Sequence, residues 1–182
     1  MSRNRSSIIK DKCRDVYNLD KYRALTIIPV LSKIVDMGCT YDKFSSFLNS
    51  CELQFGVKPG VGCAPALFTV QQVVKYFNSR HSTVHMSAID ASKAFDGVSY
   101  RLLVHNIMQR QLPGCFIYII VNWYSKLYYI VRWRHTLSST FKVNCGVRQG
   151  GILSPILFNM YVDKLIANLQ LSGGGCYITA CL

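Results

Sequence analysis

Apolar positions follow two rhythms along this chain, one with strand spacing and one with helical spacing. In residues 84–89, Val84, Met86 and Ala88 alternate with His85, Ser87 and Ile89. That alternation predicts a strand that delivers Asp90 at its C-terminal end. Small residues then turn the chain into Phe95. Residues 22–30 (YRALTIIPV) form a second strand-like run, and Pro29 demotes its end to an edge or a turn. Residues 7–12 read as a short strand whose lysines emerge at a hairpin, and residues 3–7 as frayed chain. Residues 128–133 and 140–145, joined by the polar stretch 134–139, predict a β-hairpin, and residues 176–182 begin a further strand.

The helical rhythm is carried first by Leu31, Ile34, Val35, Met37, Tyr41, Phe44, Phe47 and Leu48, with Gly38 as an interruption. Leu67, Val70, Val73 or Val74, and Phe77 make one face of a helix beginning near Pro65. Ser99 is placed to cap a helix running to Arg110, with Leu103, Val104, Ile107 and Met108 facing a core. Pro113 ends that helix, and residues 115–127 and 156–171 supply two more. Between these elements lie two glycine-rich segments, 54–63 (QFGVKPGVGC) and 146–155 (GVRQGGILSP). No G-K-[ST] follows the first of them, which excludes a P-loop there. There is no internal repeat and no linker-like block, so the 182 residues read as one domain of mixed helices and strands.

Charge changes the picture more than size does. Twenty-one Lys and Arg against nine Asp and Glu give a net charge of +12. Such an excess attracts polyanions, of which nucleic acid is the commonest large one; an anionic membrane surface or another protein is the competing reading. Half the residues are hydrophobic, which argues against global disorder. The eight cysteines show neither C-x-x-C spacing nor zinc-finger histidines, and residues 1–12 do not resemble a secretion signal. They read as reduced thiols in an intracellular protein, with nucleus or cytoplasm left open. The most apolar run, 116–131, is short and holds Asn122, Ser125 and Lys126, so no membrane span is expected.

Two positions suggest chemistry. A strand ending on Asp90, followed by a turn with free N–H groups, suits a metal-bound phosphate; a solvated or capping acid is the plainer reading. Gln149, in a glycine-rich turn at a helix N-terminus, is placed to lie against a planar group; an ordinary loop amide is the plainer reading. Arg132 and Lys142 beside aromatic rings fit phosphate and base contacts, though a solvated sheet edge has the same composition.

Four blocks then fall in a telling order: 22–33 (YRALTIIPVLSK), 54–60 (QFGVKPG), 88–96 (AIDASKAFD) and 146–161 (GVRQGGILSPILFNMY). In these blocks and their spacings the chain resembles the reverse transcriptases of non-LTR (LINE-type) retrotransposons. The resemblance implies an α+β fold, the fingers and partial palm of a right-hand polymerase. It would be built on an antiparallel sheet with helices packed on one face and without a thumb. It implies a single truncated domain over 1–182, fingers-like in 1–82 and 98–150 and palm-like in 83–97 and 151–182. Asp90 then matches the first catalytic aspartate, a ligand of both Mg²⁺ ions, with the Ala91 carbonyl as a second ligand. Phe95 matches the aromatic gate that disfavours a ribose 2′-hydroxyl. Arg23 matches a triphosphate contact, with Lys10 or Lys12 assisting from the preceding hairpin. Gln149 and Gly150 match the motif supporting the incoming nucleotide and template. Gln54, Gly56, Lys58, Pro59 and Gly60 match a segment near the template. The implied partners are an RNA template, a DNA primer and deoxynucleoside triphosphates, with no membrane and an open oligomeric state.

The sequence also departs from the family's pattern. Ala24 stands where the family often has Pro, and Val57 and Lys58 where it has an aromatic and Arg. The aromatic-Ala-Asp-Asp motif, the thumb and an upstream endonuclease are not in these residues. Asp96 reads as a cap and Asp163 as a surface acid, which leaves one of the usual three carboxylates. The expectation is a polymerase fragment inactive by itself, marginally stable, with an uncovered strand edge at Ile89 and a partly uncovered last helix. The alternatives are a non-catalytic nucleic-acid-binding remnant and a decayed retroelement product.

Overall fold

The computed structural model describes residues 2–9, 22–58, 60–173 and 175. Its backbone falls into two compact units, Met1–Asn49 with Lys93–Tyr161, and Ser50–Ser92 with Val162–Leu182.

The first unit contains a mixed sheet. Strand β1 (Ser2–Ile9) pairs antiparallel with β2 (Tyr22–Thr26), placing Arg23 opposite Ile8. β1 also pairs with β3 (Tyr128–Trp133), but in parallel, with Ser2 opposite Tyr128 and Arg5 opposite Val131. A wholly antiparallel sheet is therefore not what forms. The long helical crossover between β1 and β3 allows the parallel pairing, which a short hairpin could not. Residues 3–7, expected to fray, are held in β1, residues 3–5 by pairing with β3 and residues 5–7 by pairing with β2. The expected hairpin is present: β3 pairs antiparallel with β4 (Thr136–Leu137) and with β5 (Phe141–Lys142). Its polar connector itself turns at Arg134, with φ of 54°, and contributes β4.

Pro29 precedes α1 (Val30–Ile34). The helical path then widens into a π-helical stretch, Val35–Tyr41, around Gly38, and closes through α2 (Asp42–Phe44) and a 3₁₀ turn, Ser45–Phe47. The expected interruption at Gly38 is thus a change of helical pitch rather than a break.

The core of this unit lies among α4 (Tyr100–Gln109), α5 (Gly114–Ser125) and the start of the last helix, α6 (Leu153–Leu171). Leu103 and Ile107 of α4, four residues apart, are buried as their spacing requires. Val104 is only half-buried and Met108 is exposed, so the stripe is narrower than expected. On α5 the buried stripe is Phe116, Ile120 and Tyr124, while Tyr118 and Val121 face outward. Leu153, Leu157 and Met160 of α6, Tyr129 of β3, Val98 and Val147 from two loops, and Phe44, Leu48, Leu112 and Leu127 belong to the same cluster. The Phe116 ring meets that of Phe44 edge-on at 5.1 Å. Each such buried side chain contributes about 1.5–3 kcal/mol. Ser99 precedes α4 as expected, but its hydroxyl makes no cap hydrogen bond. Its extended backbone instead bridges Cys145. The last helix begins three residues before Ile156, at Leu153, with Pro155 in its first turn, where no intrahelical N–H is needed.

The second unit contains α3 (Cys63–Asn78), two loop segments and α6 beyond Val162. The expected helix forms; Leu67 and Val70 on its apolar face are exposed, and α3 buries none of its residues. Residues 84–89 form no strand. Among the described residues no strand pairs with them, and alternation alone cannot hold an extended segment without a ladder partner. Ile89 is 93% exposed, and Leu165, Leu169 and Leu171 on α6 are exposed as well. Residues 176–182 lie outside the described residues.

Candidate functional site

Two short segments meet in the first unit. Residues 93–97 form a tight turn, with Lys93 at φ of 51° and its carbonyl accepting the N–H groups of Asp96 (2.9 Å) and Gly97 (3.1 Å). The glycine-rich loop before α6 lies against this turn. Gly146 N–H donates to the Val98 carbonyl at 2.7 Å and Val147 N–H to the Phe95 carbonyl at 2.8 Å. The loop passes so close that a side chain at Gly146, at φ of +90°, would crowd the Phe95 and Asp96 backbone. Two side-chain contacts complete the arrangement. Gln149 Nε2 donates to Asp96 Oδ1 at 3.0 Å, and the Phe95 ring is backed edge-on by Phe158 of α6 at 5.0 Å. Gly150, at φ of +81°, lies close to the Thr26 carbonyl at the end of β2, the strand that carries Arg23.

Beneath the loop is a buried ion pair. Arg148 is 2% exposed and Asp36 fully buried, and the guanidinium donates to both carboxylate oxygens. Ser32 Oγ lies 3.4 Å from the guanidinium, and the Trp123 ring lies 4.3 Å beneath it. This set satisfies a planar, fork-shaped cation on its edge and its face. Burial pushes the neighbouring Tyr124 phenol up to about 12, against the opposing charge and backbone hydrogen bond of Arg148 and a hydrogen bond with Ser154. Tyr124 therefore remains a neutral core group at physiological pH.

In the second unit Asp90 and Ala91 lie on an exposed segment without regular structure. Among the described residues no three His, Cys, Asp or Glu side chains converge as metal ligands would. The loop starting at Gln54 is held by Asp163 of α6 and by the Cys51 backbone just before it. Gln54 is buried, and its amide donates to Asp163 Oδ1, which also accepts the Cys51 N–H at 3.0 Å. Lys58 Nζ donates to the Cys51 carbonyl. Gly56 and Gly60 are exposed, the latter at φ of +74°. Asp163 is thus an anchor for this loop rather than a solvated acid. Asp163→Ala leaves Gln54 and the Cys51 N–H without that acceptor, a loss of about 1–3 kcal/mol. The expected result is faster hydrogen exchange at the Cys51 amide while the Leu103 and Ile107 amides keep their protection. Unchanged exchange at Cys51 would refute the anchoring role.

Known proteins share this sequence pattern. The family model for "Reverse transcriptase (RNA-dependent DNA polymerase)" matches residues 9–180. The chain belongs to the reverse transcriptase family. The "Retrovirus-related Pol polyprotein from type-2 retrotransposable element R2DM" of Drosophila melanogaster is 29% identical over 127 residues, covering 70% of this chain and 12% of its own length. The "Probable RNA-directed DNA polymerase from transposon X-element" of the same organism is 26% identical over 145 residues, covering 77% and 16%. The "Putative COX1/OXI3 intron 2 protein" of Saccharomyces cerevisiae is 24% identical over 117 residues, covering 63% and 12%. The R2 and X-element relatives support placing this reverse transcriptase segment with the non-LTR retrotransposons. It spans less than a fifth of the length of these curated relatives.

Within this reverse transcriptase segment, Phe95, Gln149 and Gly150 belong to one unit, as does the β2 position of Arg23. Asp90, Ala91, Gln54, Gly56, Lys58 and Gly60 belong to the other, while Lys10, Lys12 and Pro59 lie outside the described residues. Sequence reasoning missed four participants. Asp96 holds Gln149, Phe158 backs Phe95, Asp36 neutralises Arg148, and Asp163 holds Gln54. Asp96, six residues after Asp90, and Phe158, nine after Gln149, lie inside recognised blocks, whereas Asp36 and Asp163 lie outside all four. No helix among the described residues is long and apolar enough to cross a membrane.

Proposed function

We propose that this chain is the fingers and partial-palm portion of a non-LTR retrotransposon reverse transcriptase, the part that receives the template and the incoming deoxynucleoside triphosphate. The observation that carries this reading is the docking of the Gly146–Gly151 loop on the turn that holds Phe95. Residues more than fifty positions apart, Phe95 and Gln149, are thereby fixed in one small region through Asp96. Phe95, stiffened by Phe158, is suited to act as a steric gate under a sugar. Gln149 supplies an amide beside it, and Arg23 on β2 supplies a cation for the triphosphate. The net charge of +12 suits a template–primer duplex.

The family's chemistry is metal-dependent, and Mg²⁺ would activate the primer hydroxyl and steady the leaving pyrophosphate. The described residues do not fit that group by themselves. Asp90 and the Ala91 carbonyl are the only donors assigned to it, whereas a two-ion site needs several carboxylates around ions roughly 3.5–4 Å apart. The net charge of +12 also suits a second reading, a segment that binds nucleic acid without itself performing synthesis.

Primer extension on an RNA template decides between the two, using the longer protein that contains this segment alongside the 182-residue chain. The polymerase reading expects synthesis by the longer protein, lost in Asp90→Asn with template affinity changed less than about threefold. Phe95→Ala is expected to retain synthesis and to admit ribonucleotides at least tenfold more readily. Salt-sensitive RNA binding without any synthesis supports the second reading, and equal synthesis by wild type and Asp90→Asn overturns the first.

A further inference from the structure

The recognised motifs leave Asp96 without a function, yet its carboxylate touches the one amide that the nucleotide reading depends on. We propose that Asp96 is a positioning residue that sets both the rotamer and the polarity of Gln149. A carboxylate only accepts hydrogen bonds, so the amide is held with its NH₂ group toward Asp96. Its oxygen is then left as the presented group, and among the described residues nothing donates to it. The site thus offers an acceptor, complementary to a hydroxyl or amino donor on a bound nucleotide. That part rests on the reverse transcriptase reading above.

The backbone makes the arrangement rigid on both sides. Asp96 is fixed by its N–H to the Lys93 carbonyl at 2.9 Å, and the loop is fixed by the Gly146 and Val147 N–H groups to the Val98 and Phe95 carbonyls. On its other side Arg148 is locked to buried Asp36, so the backbone on which Gln149 sits has little freedom to drift. A glutamine on an ordinary loop would lose three rotatable bonds of freedom when it met a ligand. Here that entropy is already lost in the free protein.

The test uses the full 182-residue chain labelled with ¹⁵N, with the Gln149 side-chain amide assigned by its disappearance in Gln149→Leu. In the wild type the two Gln149 amide protons are expected to be well separated and slow to exchange. Asp96→Ala should move them to the positions of an exposed glutamine while the Leu103 and Ile107 signals stay in place. Asp96→Asn, which keeps both size and an acceptor but adds a donor, should leave the fold intact and split or broaden the Gln149 pair as the amide samples both orientations. Gln149 signals identical in wild type, Asp96→Ala and Asp96→Asn would overturn the proposal. Titration with a deoxynucleoside triphosphate and template–primer then reads the consequence, about tenfold weaker binding in Asp96→Ala with partial recovery in Asp96→Asn. A wild-type chain whose Gln149 amide is ordered by Asp96 but unresponsive to nucleotide supports the positioning role and counts against the nucleotide-site reading. A wild type that responds to nucleotide equally with and without Asp96 sinks the positioning role and leaves that reading standing.

Discussion

Arg148→Met is expected to destabilise the protein by about 3–5 kcal/mol, the usual result of stranding one partner of a buried ion pair. Asp36 is fully buried, and with Arg148 removed its carboxylate loses both guanidinium hydrogen bonds at once. Met matches the length of the Arg stem and can rest on Trp123, so the loss is electrostatic rather than a cavity. Arg148→Lys should recover little, because a point-like ammonium cannot serve two carboxylate oxygens, Ser32 and the Trp123 face together. The decisive variant is the pair Asp36→Leu with Arg148→Met, which removes both charges and should regain most of the stability lost by either single change. Denaturant midpoints are measured for wild type, the Arg148→Met, Arg148→Lys and Asp36→Leu single variants, and the double variant. Single variants within about 1 kcal/mol of wild type would mean that water reaches the pair and screens it.

That ion pair also shows where sequence reading stops. Asp36 and Arg148 are 112 residues apart, and nothing in periodicity or composition links a helical Asp to a loop Arg. The same holds for Asp163 and Gln54, 109 residues apart. Short-range rules did well wherever short-range physics decides. Pro113 separates α4 from α5, the polar connector marks the β3 hairpin, and Gly38 marks the change in helical pitch. Recognition of the four blocks singled out Phe95, Gln149 and Gly150 because motif order is linear information, and the three fall in one unit. The strand expected at 84–89 failed for the opposite reason, since a strand is a property of two segments and alternation reports only one. The helix expected near Pro65 is present as α3, and periodicity gave its apolar face but not its burial, since Leu67 and Val70 are exposed.

Gly146→Ala is the second large effect, and it joins stability to the site. A Cβ at this position would sit 3.0 Å from the Asp96 Cα, the Asp96 carbonyl oxygen and the Phe95 carbonyl oxygen. All three are backbone atoms, so no side chain can rotate aside to make room. The φ of +90° adds strain that an L-residue does not tolerate freely. Overpacking and backbone strain together are expected to cost about 3 kcal/mol. Gly38→Ala is the fitting control. It has no neighbour within 4 Å of the added methyl and no positive φ, so it should be neutral or slightly stabilising. The alternative to unfolding is that the loop backs away from the turn to admit the methyl. That movement breaks the Gly146 and Val147 hydrogen bonds and pulls Gln149 from Asp96. Gly146→Ala should therefore lose stability and Gln149 ordering together, whereas Arg148→Met, whose damage begins beneath the loop, should lose stability first. Equal melting of Gly146→Ala and wild type, with the Gln149 amide still ordered, would show that the loop does not rest on the Phe95 turn as tightly as these distances require.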